Sequence, residues 1–248
     1  MKNKVALVTG GMGGIGTAVC QYLARKGAKV VASYNRGGNH ASAKAWQEEQ
    51  KKLGYDMAIN FVDVADFQSC LSMVKNVEAD FGSIDILVNN AGIICDVQLC
   101  KMDLSQWQTV LRTNLDSIFN VTRNVISGML SRRYGRIINV SSINGQKGQF
   151  GQTNYSSAKA GIHGFTKSLA QEVARKGVTV NTISPGYIET NMVMSVDDKI
   201  REKIVAQIPV GRFGKPDEVA RAVAFLAAES SGFITGSNLV INGGQYLV

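Results

Sequence analysis

Tyr155 and Lys159 stand four residues apart in the run Asn154-Tyr155-Ser156-Ser157-Ala158-Lys159, and Ser142 precedes the tyrosine by thirteen. The stretch from Ser156 to Ala174 favours a helix, so the pair shares one face and the ammonium can reach the phenol. Tyrosine ordinarily ionises at about pH 10. A cation about 4 Å away in an intermediate dielectric favours the phenolate by roughly 4 kcal/mol, or up to about three pKa units. A phenol tuned this way can hand a proton to a carbonyl oxygen or take one from an alcohol. The same spacing also occurs on ordinary helix surfaces, so the rest of the chain has to decide.

A second reactive-looking segment lies near the start. Val5-Ala6-Leu7-Val8 reads as a buried parallel strand. It runs into Thr9-Gly10-Gly11-Met12-Gly13-Gly14-Ile15-Gly16, and then into a helical pattern of Val19, Leu23 and Ala24 that ends at Gly27. Strand, glycine turn and helix in that order are the setting of a dinucleotide fingerprint. Glycine lets the backbone approach a pyrophosphate, and the helix start offers free N–H groups and a positive dipole. Sites for NAD place an acid about twenty residues further on to bind the ribose hydroxyl. Here that place holds Arg36, within Tyr34-Asn35-Arg36-Gly37-Gly38, and the next acid is Glu48. A guanidinium pairs with a 2′-phosphate that a carboxylate would repel. The expected cofactor is therefore NADP(H), with Arg36 reading the 2′-phosphate, or else a neighbouring serine or asparagine such as Asn35 reading it while Arg36 is a solvated loop residue.

The elements that must position these groups alternate. Strands are expected at 5–8, 30–33, 58–62, 86–88, 136–140, 179–183 and 239–241, with helical patterns between them such as 41–53, 68–81 and 105–126. That alternation predicts an α/β fold, a Rossmann-like doubly wound parallel sheet with helices on both faces. Right-handed crossovers put the loops after the strands on one rim. Residues 10–16, Asp63, residues 90–92, Ser141, Ser142 and residues 185–190 all follow strands. The candidate chemistry therefore collects on that rim.

A chain of 248 residues with 45% hydrophobic and 19% charged residues suits one undivided domain over 1–248. Its cofactor part is expected over about 1–140 and its catalytic and substrate part over about 141–248. With three prolines and no linker composition, nothing divides it. The N-terminus runs directly into a strand and no apolar run reaches membrane-span length, so a cytoplasmic protein with no membrane partner is expected. Twenty-seven basic against nineteen acidic residues give +8. Without a dense Lys/Arg cluster this charge points to phosphorylated small molecules, and no nucleic acid partner is expected. Cys20, Cys70, Cys95 and Cys100 form no CxxC and read as reduced packing residues. His40 and His163 are too few for a metal site, and no metal is expected.

Taken together, Thr9-Gly10-x3-Gly14-Ile15-Gly16, Asp63-Val64, Asn89-Asn90-Ala91-Gly92, Asn114, Ser142, Tyr155-x3-Lys159 and Pro185-Gly186-Tyr187-Ile188-x-Thr190 resemble the short-chain dehydrogenase/reductase family from end to end. The resemblance implies that Ser142 binds the substrate oxygen, Tyr155 exchanges the proton, and Lys159 holds the nicotinamide ribose. It makes Asn114 the fourth catalytic residue, holding a water in the relay to Lys159. From its type alone, an asparagine inside a helical pattern reads as solvent-facing. The resemblance extends the cofactor contacts to Gly10, Met12, Gly13, Gly14, Ile15, Gly16, Asp63, Val64, Asn90, Ala91, Gly92, Ile93, Pro185, Gly186, Tyr187, Ile188 and Thr190. It also implies a lid at about 189–212 and a homotetramer built from two long helices and the last strand of each subunit.

Within that family, residues 145–155 resemble the same segment of NADPH-dependent acetoacetyl-CoA reductases of polyhydroxybutyrate synthesis. An acyl-CoA substrate is then expected, flanked by Asp96, Ser142, Gln149, Phe150, Gln152 and Tyr187. Lys199, Arg201 and Lys203 either meet the CoA phosphates or form a solvated helix face. Asp197 departs from the arginine that the resemblance implies. The nearest alternative is a 3-oxoacyl-(acyl-carrier-protein) reductase of fatty-acid synthesis. A remote one is a non-catalytic NADP(H)-sensing regulator, against which Ser142, Tyr155 and Lys159 all weigh.

Overall fold

Strand β1 (Val5–Val8) is buried along its whole length, and its side chains alternate between two cores: Ala6 and Val8 face one, Val5 and Leu7 the other. The computed structural model describes residues 1–35 and 39–247; Arg36, Gly37, Gly38 and Val248 lie outside the described residues. After β1 come α1 (Gly14–Arg25), β2 (Lys29–Tyr34), α2 (His40–Lys52), β3 (Met57–Phe61), α3 (Phe67–Phe81) and β4 (Ile84–Asn89). The second half holds α4 (Leu104–Leu111), α5 (Ser117–Arg132), β5 (Gly135–Val140), α6 (Asn144–Lys147), α7 (Thr153–Val173) and β6 (Val178–Pro185). Next are α8 (Asn191–Met194), α9 (Asp198–Val205), α10 (Pro216–Ala227) and β7 (Asn238–Ile241).

The strands form one sheet in the order β3-β2-β1-β4-β5-β6-β7, all parallel. All seven expected strands are present and the fold class is as expected. One core packs Val19 and Leu23 of α1 with Val219 and Val223 of α10. The other packs Val74 and Val77 of α3, Val121 and Val125 of α5, and Ala170 and Val173 of α7. Each such valine or leucine side chain, fully buried, contributes about 1.5–3 kcal/mol. Both faces are therefore covered. The order reverses between β1 and β4, which opens a crevice at their carboxyl ends.

The single helix expected over 105–126 is interrupted. A π-helical turn, Arg112–Asp116, joins α4 to α5 and carries Asn114 at its centre. Its side chain is buried, correcting the solvent-facing reading, because the irregular turn rotates the amide inward. Among the described residues no helix is long and apolar enough to cross a membrane, and no group of His, Cys, Asp and Glu could hold a metal ion.

Candidate active site

The glycine turn between β1 and α1 is held from the neighbouring strand. Asn90 Nδ2 donates to the carbonyls of Thr9 (3.0 Å) and Gly10 (3.1 Å), and Thr9 Oγ1 accepts from the N–H groups of Asn90 and Ala91. Gly10 has φ +61°, which favours glycine. A Cβ on Gly16 would stand 2.2 Å from the Gly10 carbonyl, so the turn closes only over hydrogen. At the start of α1, Gly13 provides no side-chain cap and the first turn carries no acid. The exposed N–H groups and the dipole there suit a phosphate, and the turn fits the pyrophosphate of a dinucleotide.

A buried polar row behind the site sets the rotation of α7. Asn89, Asn139 and Thr182 are register partners across β4, β5 and β6. Asn89 Nδ2 donates to Asn139 Oδ1 (2.8 Å), Asn139 Nδ2 to Thr166 Oγ1 (2.9 Å), and Thr182 Oγ1 to the same threonine (2.8 Å). Thr166 lies on α7. Buried polar groups of this kind accept few alternative partners, so the helix is held in one orientation. Sequence reasoning misses this row; its only signal is amide and hydroxyl side chains inside otherwise apolar strands.

With α7 so held, Tyr155 in its first turn and Lys159 one turn on face the rim. Lys159 Nζ donates to the Val140 carbonyl at 2.8 Å and lies 5.6 Å from the centre of the Tyr155 ring. Burial pushes the lysine down to about 8. Tyr155 departs from expectation: burial raises its pKa, the Ser142 hydroxyl bonded to it lowers it in part, and Asp96 adds to the rise. The largest cause is desolvation of the buried phenol, which disfavours its charged form. The group at this place is a phenol able to donate. Ser142 Oγ accepts the N–H of Asn144 at 3.1 Å, which leaves the hydroxyl proton to point elsewhere.

Asn114 braces the loop after β4. Its Oδ1 accepts from Ile93 N (3.0 Å), and its Nδ2 donates to the carbonyls of Ile93 (2.9 Å) and Val110 (3.0 Å). Glycine is needed at 92, since a Cβ there would stand 2.5 Å from Asn114 Oδ1 and 3.5 Å from Lys159 Nζ. Asp63 caps a turn by accepting from Ala65 N (3.0 Å). The Val64 side chain is in the core, and its carbonyl accepts from Asn120 (3.0 Å).

Two cavities meet on this rim. A cleft of about 500 Å³ runs from the glycine turn past Tyr34, Asn35, Asn90, Ala91, Gly92 and Ile93 to Lys159, Pro185 and Gly186. Met12, Gly13, Gly14, Ile15, Gly16 and Thr190 line it too. Asp63, Val64, Tyr187 and Ile188 are not on its wall, although Tyr187 and Ile188 line the neighbouring cavity. Arg36 falls outside the described residues. The second cavity, about 380 Å³, is lined by Asp96, Gln149, Phe150, Gln152 and Tyr187, five of the expected substrate contacts. Ser142, the sixth, and Tyr155 line both spaces.

The second cavity also has an apolar wall that sequence reasoning misses: Ile94, Ile143, Val193, Val196, Ile200 and Ile204. The i,i+4 isoleucines in the charged helix α9 are the available signal. Of the lid cations, Arg201 pairs with Asp198 and bonds the Met194 carbonyl. Lys199 and Lys203 are exposed. Asp197 caps α9, accepting from Lys199 N at 3.0 Å. All four cysteines are free, and burial drives Cys70 up to about 12, away from reactivity.

A family model described as enoyl-(acyl carrier protein) reductase matches residues 10–245. An acetoacetyl-CoA reductase of Cupriavidus necator is 54% identical over 100% of both chains. Nodulation protein G of Azospirillum brasilense is 55% identical over 98% of each. A 3-oxoacyl-(acyl-carrier-protein) reductase of Vibrio cholerae is 46% identical over 100% of this chain and 99% of its own.

Proposed function

Because the chain belongs to the short-chain dehydrogenase/reductase family, we propose that it reduces acetoacetyl-CoA to (R)-3-hydroxybutanoyl-CoA with NADPH. The observation that carries the reading is the sharing of Ser142 and Tyr155 between the cofactor-shaped cleft and the acyl-sized cavity. A ketone oxygen placed at that junction meets two hydroxyl donors. Ser142 donates to it and offsets the negative charge that develops there. Tyr155 delivers the proton, and its raised pKa keeps it protonated through neutral pH. Lys159, fixed by the Val140 carbonyl, lines the cleft, and Asn114 braces Ile93, another residue of its wall.

Bound NADPH would supply the hydride. The glycine turn would hold its pyrophosphate, Asn35 and Arg36 its 2′-phosphate, and Asp63 and Val64 its adenine. Residues 90–93 would flank the ring system, with Tyr155 and Lys159 on the nicotinamide ribose and residues 185–188 with Thr190 on the nicotinamide. Asp96, Gln149, Phe150, Gln152 and Tyr187 would enclose the acyl chain. The product is the thioester precursor of polyhydroxybutyrate, and the enzyme works in the cytoplasm as a homotetramer. Exposed Leu104, Phe119, Phe233 and Leu247 support assembly.

A carrier-protein thioester is the second reading, favoured by the Vibrio cholerae relative at 46% against 54% for the Cupriavidus necator one. The test compares kcat/KM on acetoacetyl-CoA and acetoacetyl-carrier protein, each with NADPH and NADH. The CoA ester with NADPH should be preferred; preference for the protein carrier overturns the substrate, and preference for NADH overturns the cofactor.

A further inference from the structure

Beside the reacting groups lies a chain of side chains whose polarity is dictated from one end. Asp96 is exposed and both of its carboxylate oxygens accept from Gln152 Nε2, at 2.9 Å each. A carboxylate only accepts, so it fixes which end of the glutamine amide faces it. Gln152 Oε1 is thereby turned inward, where it accepts from Asn144 Nδ2 at 2.8 Å. The asparagine amide is fixed in its turn. Asn144 then places its backbone N–H on Ser142 Oγ. Gln152 and Asn144 are buried, at 8% and 7% exposure, so water does not compete for these bonds. Asn144 Oδ1 has no hydrogen-bond partner among the described residues, which leaves the Gln152 bond as the anchor of that side chain.

We propose that Asp96, Gln152 and Asn144 act as positioning residues, an oriented hydrogen-bond chain that aims the Ser142 hydroxyl at the substrate oxygen. The chain joins three separate segments: the loop after β4, the start of α7, and α6. Gln152, with both amide ends engaged inside the protein, then serves the reaction through Ser142 as well as lining the acyl cavity. Burial raises the pKa of Tyr155 and Tyr187 and Asp96 adds to both, so its charge is felt by both phenols of the site. This assignment rests on Ser142 being the carbonyl-oxygen donor.

The experiment is a polarity exchange, read as kcat and KM for acetoacetyl-CoA with NADPH, with thermal melts as a control for folding. Gln152→Ala should lower kcat by about 10-fold at little-changed KM, the signature of a displaced donor. Gln152→Glu sets two carboxylates against each other and should lose more. Asp96→Asn combined with Gln152→Glu restores the donor order: the new amide at position 96 donates to the new carboxylate at position 152, which still accepts from Asn144. That double variant should return kcat to within about 3-fold of the parent. A double variant no better than Gln152→Glu overturns the proposal, as does a rise in KM alone. Where a Gln152 variant melts early, Asp96→Ala at the exposed end makes the same distinction: kcat should fall at little-changed KM, and an unchanged kcat overturns the proposal. If Ser142→Ala keeps full kcat, the underlying reading of the site fails instead, a result distinguishable from failure of the exchange.

Discussion

At the scale of single residues, burial treats the two ionisable groups proposed to carry the reaction in opposite ways. Tyr155 is pushed up and remains a phenol, whereas Lys159 is pushed down to about 8. Tyr155→Phe should abolish turnover while NADPH binding survives, measured by cofactor fluorescence titration beside the rate assay. Ketone reduction should hold steady to about pH 8 and then fall as Lys159 loses its proton. The same shift has a sign for stability. The folded pKa is depressed below the unfolded value of 10.5, so the folded chain carries a desolvation cost below about pH 8 that fades as pH rises toward 10.5. That cost is roughly 3 kcal/mol, reduced by the bond to the Val140 carbonyl. Lys159→Met should therefore gain about 1–3 kcal/mol at pH 7 while losing activity. Melts at pH 7 and pH 10 check it, with the gain shrinking at the higher pH.

At the scale of elements, backbone shape at two places decides the site. Gly16→Ala puts a methyl 2.2 Å from the Gly10 carbonyl and 2.9 Å from Gly11 Cα, neither of which is the end of a flexible side chain. It should cost about 1–3 kcal/mol and weaken NADPH binding, seen in melts and titration together. The glycine turn is legible because strand, glycines and helix are local in sequence. The π-helical turn at Asn114 is not: the phase shift from one extra residue is too small to stand out in a short amphipathic pattern, and its consequence is a contact with Ile93, 21 residues away. The strand positions are legible to within a few residues, because buried parallel strands are short continuous apolar runs.

At the scale of the whole molecule, several large apolar side chains are left uncovered. Leu104 and Phe119 lie on α4 and α5, and Phe233 and Leu247 lie on either side of β7 in sequence, with Phe233 fully exposed. Assembly that covers them should give a solution mass four times the 26.7 kDa chain, measured by light scattering. Phe233→Asp should lower that mass, since a charge there opposes burial. A monomeric parent would sink the tetramer.

The order of strands and helices, the glycine turn and the Tyr155–Lys159 pairing were legible in the sequence alone, because each is carried by local periodicity or fixed spacing. Only the tertiary structure decided the raised pKa of Tyr155, the bracing of Asn114, the apolar lid wall and the hydrogen-bond chain from Asp96 to Ser142. Each of those depends on burial and on partners distant in the chain, and desolvation acts on a group only after the fold has closed around it.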